Sequence, residues 1–299
     1  MANIKPKNDT TAALGMAAPG LLGLGLFVAL PFALAVLLSF TNLRLGSPLP
    51  LEWIGLEQYR RILSDPTFFR ALINNGVFAL VIVPLQTALA LGLALLLNRP
   101  LKGMAVFRTL FFMPVVFPMS LVSVVWMLMY APSANGLINS LLSFITFGLW
   151  TPQDFLNDPV LALPAIILLS LWQGMGFQMV IILAGLQAIP TVLYEAAAID
   201  GSNAWNRFRY VTLPQLRNTL IFVMLVTSIL AFRLFDQVEI MTQGGPNDAT
   251  TTVMYEAVTV AFEQQKIAKG SAMTVVFFLI VLAIALLQRL FLKEESAYD

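Results

Sequence analysis

Six long apolar stretches decide what this chain can fold into: about 14–40, 73–97, 105–130, 160–188, 217–240 and 271–292. Each matches the roughly 20 predominantly apolar residues that a helix needs to cross a bilayer. Inside lipid every backbone N–H and C=O must be satisfied by the protein itself, and long apolar runs achieve this as helices. The composition agrees, with 59% of the 299 residues hydrophobic and only 11% charged, against about 25% charged in a soluble domain. The expected fold is therefore all-α and integral to the membrane, one six-span transmembrane domain over residues 1–299. The polar first dozen residues lead into an apolar run too long for a signal peptide, which reads as a retained first span. Prolines within the spans (Pro31, Pro84, Pro114, Pro118, Pro164) read as packing kinks or as hinges, because neighbours in a bundle satisfy the carbonyls that Pro frees.

The chain has no Cys and no His. Disulfides, thiolate chemistry, His-dependent metal sites and an imidazole base are thereby excluded, and no catalytic or metal-ligating residue is assigned. A net charge of +1 gives no electrostatic reason to bind nucleic acid. No G-x-x-x-x-G-K-[ST] phosphate loop occurs, so ATP hydrolysis, if used, belongs to another chain. An ion-coupled secondary transporter is the alternative class. It would be expected to carry several intramembrane carboxylates and internal repeats, whereas the deep acidic residues here are few and gathered at one end.

Lys and Arg outside the spans fix an expected orientation. One face collects ten: Lys5, Lys7, Arg99, Lys102, Arg108, Arg207, Arg209, Arg217, Arg289 and Lys293. The other collects six: Arg44, Arg60, Arg61, Arg70, Lys266 and Lys269. Cytoplasmic loops carry the excess, so both termini are expected in the cytoplasm, with 41–72, 131–159 and 243–270 outside. On the outer side, Ser64 or Asp65 can cap a helix that begins at Pro66.

Residues 189–218 form an unusually long inner loop, LQAIPTVLYEAAAIDGSNAWNRFRYVTLPQLRNTL with its flanks. Pro190 ends the fourth span, Thr191 can cap a new helix carrying Glu195, and Gly201 supplies a stop where positive φ is cheap. A second helical piece follows, and Pro214 opens the fifth span. Ala196, Ala197 and Ala198 offer too little apolar area to anchor in lipid, and Glu195 and Asp200 would face anionic headgroups. Such a small Ala face with flanking charges suits a protein groove better than a membrane surface.

Glu195-Ala196-Ala197, three residues, Gly201, nine residues, then Val211-Thr212-Leu213-Pro214 resembles the EAA motif of ABC importer permeases, Glu-Ala-Ala, x3, Gly, x9, Ile-x-Leu-Pro, departing only by Val for Ile. The resemblance extends to permeases of the carbohydrate-uptake group, of maltose and glycerol-phosphate type, through 55–75, 108–118 and FRLFDQVEIMTQGGPNDATTT at 232–252. It implies a type I-like importer permease in the cytoplasmic (inner) membrane. Glu195, Ala196, Ala197, Asp200, Gly201, Leu213 and Pro214 would then form the coupling loop that docks on an ATP-binding subunit. The implied partners are ATP-binding subunits carrying ATP and Mg, a second permease subunit, an extracytoplasmic solute-binding protein and membrane lipid, with no cofactor on this chain.

The fourth span carries SLWQGMGFQM, with amides and aromatics near its middle. Gln in lipid must be paired, so Gln173 should face the bundle interior, as an interhelical hydrogen bond or as part of a solute site. The resemblance implies that Trp172, Gln173, Gly174 and Phe177 line a sugar path, with Val115 and Met119 at other lining positions. Arg233 and Asp236 read as an i,i+3 helical pair near the outer interface, or Arg233 as a contact for an anionic solute or part of an outer gate. Cargo is left open among sugars, polyols and glycerol phosphates.

Overall fold

The apolar runs do become helices, but with more breaks than the runs suggest. A computed structural model describes residues 9–99, 101–133 and 136–291; Lys5, Lys7 and Lys293 and the side chain of Arg289, counted above, lie outside the described residues. In chain order the helices are α1 (Asp9–Leu24), α2 (Leu30–Leu38), α3 (Glu57–Ile62), α4 (Pro66–Leu97), α5 (Met104–Val116), α6 (Met119–Met129), α7 (Leu137–Ile145) and α8 (Ala162–Gln187). Then come α9 (Thr191–Ile199), α10 (Ala204–Arg207), α11 (Leu213–Gln215), α12 (Arg217–Phe232), α13 (Asp236–Met241), α14 (Val253–Val258) and α15 (Ile267–Phe291). Among the described residues, four helical stretches are long and apolar enough to cross a membrane: Ala13–Leu38, Pro66–Leu97, Ala162–Gln187 and Ile267–Gln288. The number rises to six if each of two bent pairs counts as one span.

Proline explains the first bend. Between α5 and α6 the axis turns by 98°, at Phe117, whose ψ of 140° is extended. A residue before Pro is pushed out of the α region by the ring, and Pro118 follows it. The single span expected over 105–130 is thus two helices. The expected fifth span, 217–240, also stops early, because α12 ends at Phe232 and the chain turns before α13. Pro214 does not open that span; it lies in the helical stretch before it, and a 65° bend separates the two.

Two of the prolines share a device. Leu30 N–H bonds Gly25 O across a π turn just before Pro31, and Leu213 N–H bonds Phe208 O across another just before Pro214. A wider turn leaves room for the ring against the preceding carbonyls, so the helix continues. Pro164 sits in the first turn of α8, where its missing N–H costs nothing. Asp65 caps α4 by accepting from Thr67 N–H at 3.1 Å.

The chain divides into two compact units. In the larger, residues 65–256 with 278–299, α4 runs along α8, flanked by α5 and α12. Ala90 and Ala94 of α4 are fully buried against Met179 and Ile182 of α8 and Leu216. Small residues let helix backbones approach closely, which replaces the hydrophobic drive that lipid removes. In the smaller, residues 1–64 with 257–277, the segment after α2 folds back on itself. Asn42 N–H bonds Glu52 O and Ile54 N–H bonds Phe40 O, while the Phe40 and Trp53 rings stack at 5.3 Å. The same segment is tied to the start of α15 by Leu45 N–H to Gln265 O at 2.9 Å and Ala268 N–H to Leu43 O at 3.0 Å.

Candidate functional site

Within the larger unit, α4, α6, α8, α12 and α13 enclose a cavity of about 290 Å³. Its polar lining is drawn from several elements: Gln86 of α4, Ser170, Gln173 and Gly174 of α8, Thr227 of α12, Arg233, and Asp236 and Gln237 of α13. Beneath it lies a hydrogen-bonded knot. Gln178 Nε2 donates to Gln86 Oε1 at 2.6 Å and to Thr227 Oγ1 at 2.7 Å. Gln86 Nε2 donates in turn to Ser170 O at 2.8 Å, and Gln237 Nε2 to Ser170 Oγ at 3.3 Å. All four polar side chains of the knot proper, Gln86, Gln178, Thr227 and Ser170, are buried and hydrogen-bonded, as buried polar groups in a bundle should be, although Gln178 Oε1 has no partner among the described residues.

Gln173 differs from Gln178. It is half-buried, lines the cavity, and its side-chain amide has no hydrogen-bond partner among the described residues. Two donors and an acceptor are therefore available to a solute. Arg233 and Asp236 are exposed, line the same cavity, and make no ion pair with each other. The helical i,i+3 geometry expected for them is absent because α12 ends before Arg233, which caps it.

Of the residues singled out from sequence, Gln173, Gly174, Met119, Arg233 and Asp236 come together on this cavity. Trp172, Phe177 and Val115 are not among its lining residues. Trp172 packs on Trp126 with ring centres 5.7 Å apart, and Phe177 is 39% exposed. The glycines here serve packing. A Cβ on Gly174 would strike the Gln86 amide, and one on Gly176 would overlap the Phe111 carbonyl oxygen of α5. Gln86, Ser170, Thr227 and Gln237 were missed from sequence. Ser170 is a lone polar residue inside an apolar run, and Gln86 and Thr227 form polar pairs with Thr87 and Ser228 inside such runs, the kind of signal that drew attention to Gln173. Gln237, beside Asp236, carried no such signal.

The second candidate site is the α9–α11 loop. Pro190, not Thr191, holds the N-cap position of α9, without a side-chain hydrogen bond. Leu193 and Tyr194 pack against the buried core, and Tyr194 Oη and Thr212 Oγ1 are hydrogen-bonded at 3.0 Å. That fixes which face of α9 looks outward: Val192, Glu195, Ala196, Ile199 and Asp200 are exposed, and Ala197 is half-buried. Gly201 adopts φ +72°. Its N–H bonds Ala198 O at 3.1 Å while Ser202 N–H bonds Ala197 O at 2.9 Å. This is the paired 6→1 and 5→2 closure of a Schellman motif, which needs a left-handed residue at that position. Asn203 then caps α10 by accepting from Asn206 N–H at 2.8 Å. Leu213 and Pro214 are exposed at the far end of the loop. Sequence reading passed over Val192 and Ile199, which are 61% and 88% exposed.

At the other end of the bundle the Gly244-Gly245-Pro246 turn is clasped by the start of α4. Asn74 Nδ2 donates to Asp248 O at 2.9 Å and Thr251 O at 2.8 Å, and Asn75 Oδ1 accepts from Val253 N–H at 2.9 Å. Thr250, Thr251 and Thr252, all buried, bond Gly245 O, Gly244 O and Leu234 O through their hydroxyls. Thr252 thereby satisfies a carbonyl freed where the helix breaks before α13.

Residues 26–294 match the family described as binding-protein-dependent transport system inner membrane component. Similar curated proteins include the trehalose/maltose transport system permease protein MalF of Thermococcus litoralis, 37% identical over 234 residues, covering 77% of each chain. Another is the sulfoquinovosyl glycerol transport system permease protein SmoG of Agrobacterium fabrum, 36% identical over 276 residues, covering 90% of this chain and 86% of that one. A crystal structure of a bacterial ABC transporter importing the acidic polysaccharide alginate aligns with a TM-score of 0.82, covering 94% of this chain and 95% of that one. At 19% identity this likeness shows a shared fold.

Proposed function

The chain belongs to the inner membrane components of binding-protein-dependent transport systems, and we propose that it forms part of the translocation path of an ATP-driven importer for a sugar or sugar-like solute. The observation that carries this reading is the cavity of about 290 Å³ inside the helical bundle, with the Gln173 amide open to it. Amides, two hydroxyls and a carboxylate around an aromatic wall at Phe78 suit a hydroxyl-rich solute. The two relatives described above are named for sugar-containing cargo, which supports the same class. This chain is a translocation component; ATP and Mg would bind partner subunits that dock on the exposed face of α9 and at Gly201. A second permease subunit and an extracytoplasmic solute-binding protein complete the proposed assembly. A polyol or glycerol phosphate is the second reading of the cargo, favoured by Arg233, which lines the cavity and makes no ion pair among the described residues.

The two glutamines of α8 separate transport from folding. Gln173→Ala should lower uptake about tenfold, the worth of one or two hydrogen bonds at about 1.4 kcal/mol per decade, with thermal stability and assembly unchanged. Gln178→Ala strands buried groups on Gln86 and Thr227, and should cost about 1–3 kcal/mol of stability. Uptake kinetics and melting curves of both variants test this; unchanged uptake in Gln173→Ala would remove the cavity from the path.

The orientation is tested in the Cys-free background. Single cysteines at Ala204 and Asn247, both exposed, are challenged with a membrane-impermeant thiol reagent on intact cells. Asn247→Cys should label and Ala204→Cys should not. The reverse pattern would put the termini outside.

A further inference from the structure

Four of the six cations on the sparser side of the Lys/Arg count converge on one cleft in the smaller unit. Arg44, Arg61, Lys266 and Lys269 line a cavity of about 300 Å³, together with Asn42 and the buried Gln58. No carboxylate among the described residues lines it. Arg61 is paired through Nε with Glu57 at 3.0 Å, and Lys266 Nζ donates to the neutral Gln264 Oε1 at 2.9 Å. Neither Arg44 nor Lys266 makes an ion pair among the described residues. Like charges gathered around one hollow repel, and an anion seated between them removes that repulsion.

The position of the cleft narrows the choice of anion. One wall follows Leu38, where the first apolar stretch ends; the other is the start of the last, at Ile267. The hydrogen bonds from Leu45 to Gln265 and from Ala268 to Leu43 hold the two walls together. The cleft thus lies where spans leave hydrocarbon, at the depth of lipid phosphates. Its flank is apolar: Trp53 is 65% exposed although stacked on Phe40, and Leu49, Leu51 and Leu56 are exposed beside it. Exposed Trp and Leu next to basic groups are the marks of a segment resting at the membrane interface. A site for a freely dissolved anion has no use for such a flank.

We propose that this cleft binds the phosphate group of an anionic phospholipid. The Arg guanidinium forks offer paired donors to phosphate oxygens and the Lys side chains add compact charge. The site is independent of the solute path and of which side of the membrane it faces.

The test is native mass spectrometry of the purified full-length chain titrated with phosphatidylglycerol or phosphatidylcholine. Phosphatidylglycerol should bind about tenfold more tightly or better. Each cation near an anionic headgroup is worth about fivefold, so Arg44→Gln combined with Lys266→Gln should weaken that lipid about 25-fold. Arg60→Gln, on an exposed residue of α3 outside the cleft, should leave binding intact, and Arg44→Lys should retain most of it. If the double variant does not fold, Arg44→Gln alone should still show the fivefold loss. Equal binding of the two lipids, or a preference that survives loss of both cations, would overturn the proposal. Millimolar inorganic phosphate should compete with phosphatidylglycerol; phosphate binding tighter than the lipid would assign the cleft to a soluble anion instead.

Discussion

Replacing Gly201 with Asp should leave the chain normally inserted, yet unable to retain its ATP-binding subunits on purification and inactive in uptake. Gly201 sits at φ +72° and closes α9. An added Cβ meets nothing within 4 Å inside the chain, so the fold of the loop is opposed by backbone strain alone, about 1 kcal/mol. The free loop relieves that strain by opening and must close again to dock. Steric misfit in a partner's groove adds about 1–3 kcal/mol, and a second carboxylate beside Asp200 adds charge. Together these weaken docking roughly thirtyfold to a thousandfold at about 1.4 kcal/mol per decade. Gly201→Asn removes the charge while keeping nearly the same size and backbone preference, since Asn and Asp both visit the left-handed region. Restored assembly would identify the charge as the cause, continued failure the groove or the strain. Wild-type co-purification and uptake in Gly201→Asp would sink the docking role of this loop.

The largest effect on folding is expected at Gly176. A Cβ there would overlap the Phe111 carbonyl oxygen and lie 2.8 Å from its carbon and 3.0 Å from Phe112 Cα. These are backbone atoms of α5, which cannot rotate aside, so α5 and α8 must separate. Overpacking costs about 1–3 kcal/mol and at times more. For Gly176→Leu we expect about 3 kcal/mol or more, a fall in melting temperature of about 6–12 °C by the usual scaling. Gly92 of α4 is the control, since a Cβ there meets nothing within 4 Å; Gly92→Ala should be neutral or slightly stabilising. A Gly176→Leu protein that melts like wild type would mean that α5 and α8 are not in contact at this point.

The residues most legible in the sequence were those whose structure is locally determined. Apolar length alone located four of the expected spans as single helical stretches, while the other two are bent pairs among the described residues. Gly201 was legible because only its own backbone has to adopt positive φ. The breaks were less so. Pro118 was readable as a kink, but a turn of 98° depends on what surrounds the freed carbonyls. The end of α12 has no Gly or Pro to announce it, and the Leu234 carbonyl left there is satisfied by Thr252, 18 residues on. Gln173 and Gln178 look alike as letters. Five residues apart, at 3.6 residues per turn, they point about 140° apart, and only the packed bundle shows that one joins the knot while the other faces the cavity.

The asparagine clasp on the Gly244–Thr252 turn also limits what recombination can do with this chain. A loop whose backbone carbonyls are claimed by Asn74, 174 and 177 residues earlier in the sequence, is not a portable segment. A chimera that imports the turn from a relative while keeping an unmatched residue at 74 or 75 leaves buried carbonyls or the Val253 amide without partners. Productive crossovers should therefore carry residues 74–75 and 242–253 as a linked pair, although most of the chain lies between them.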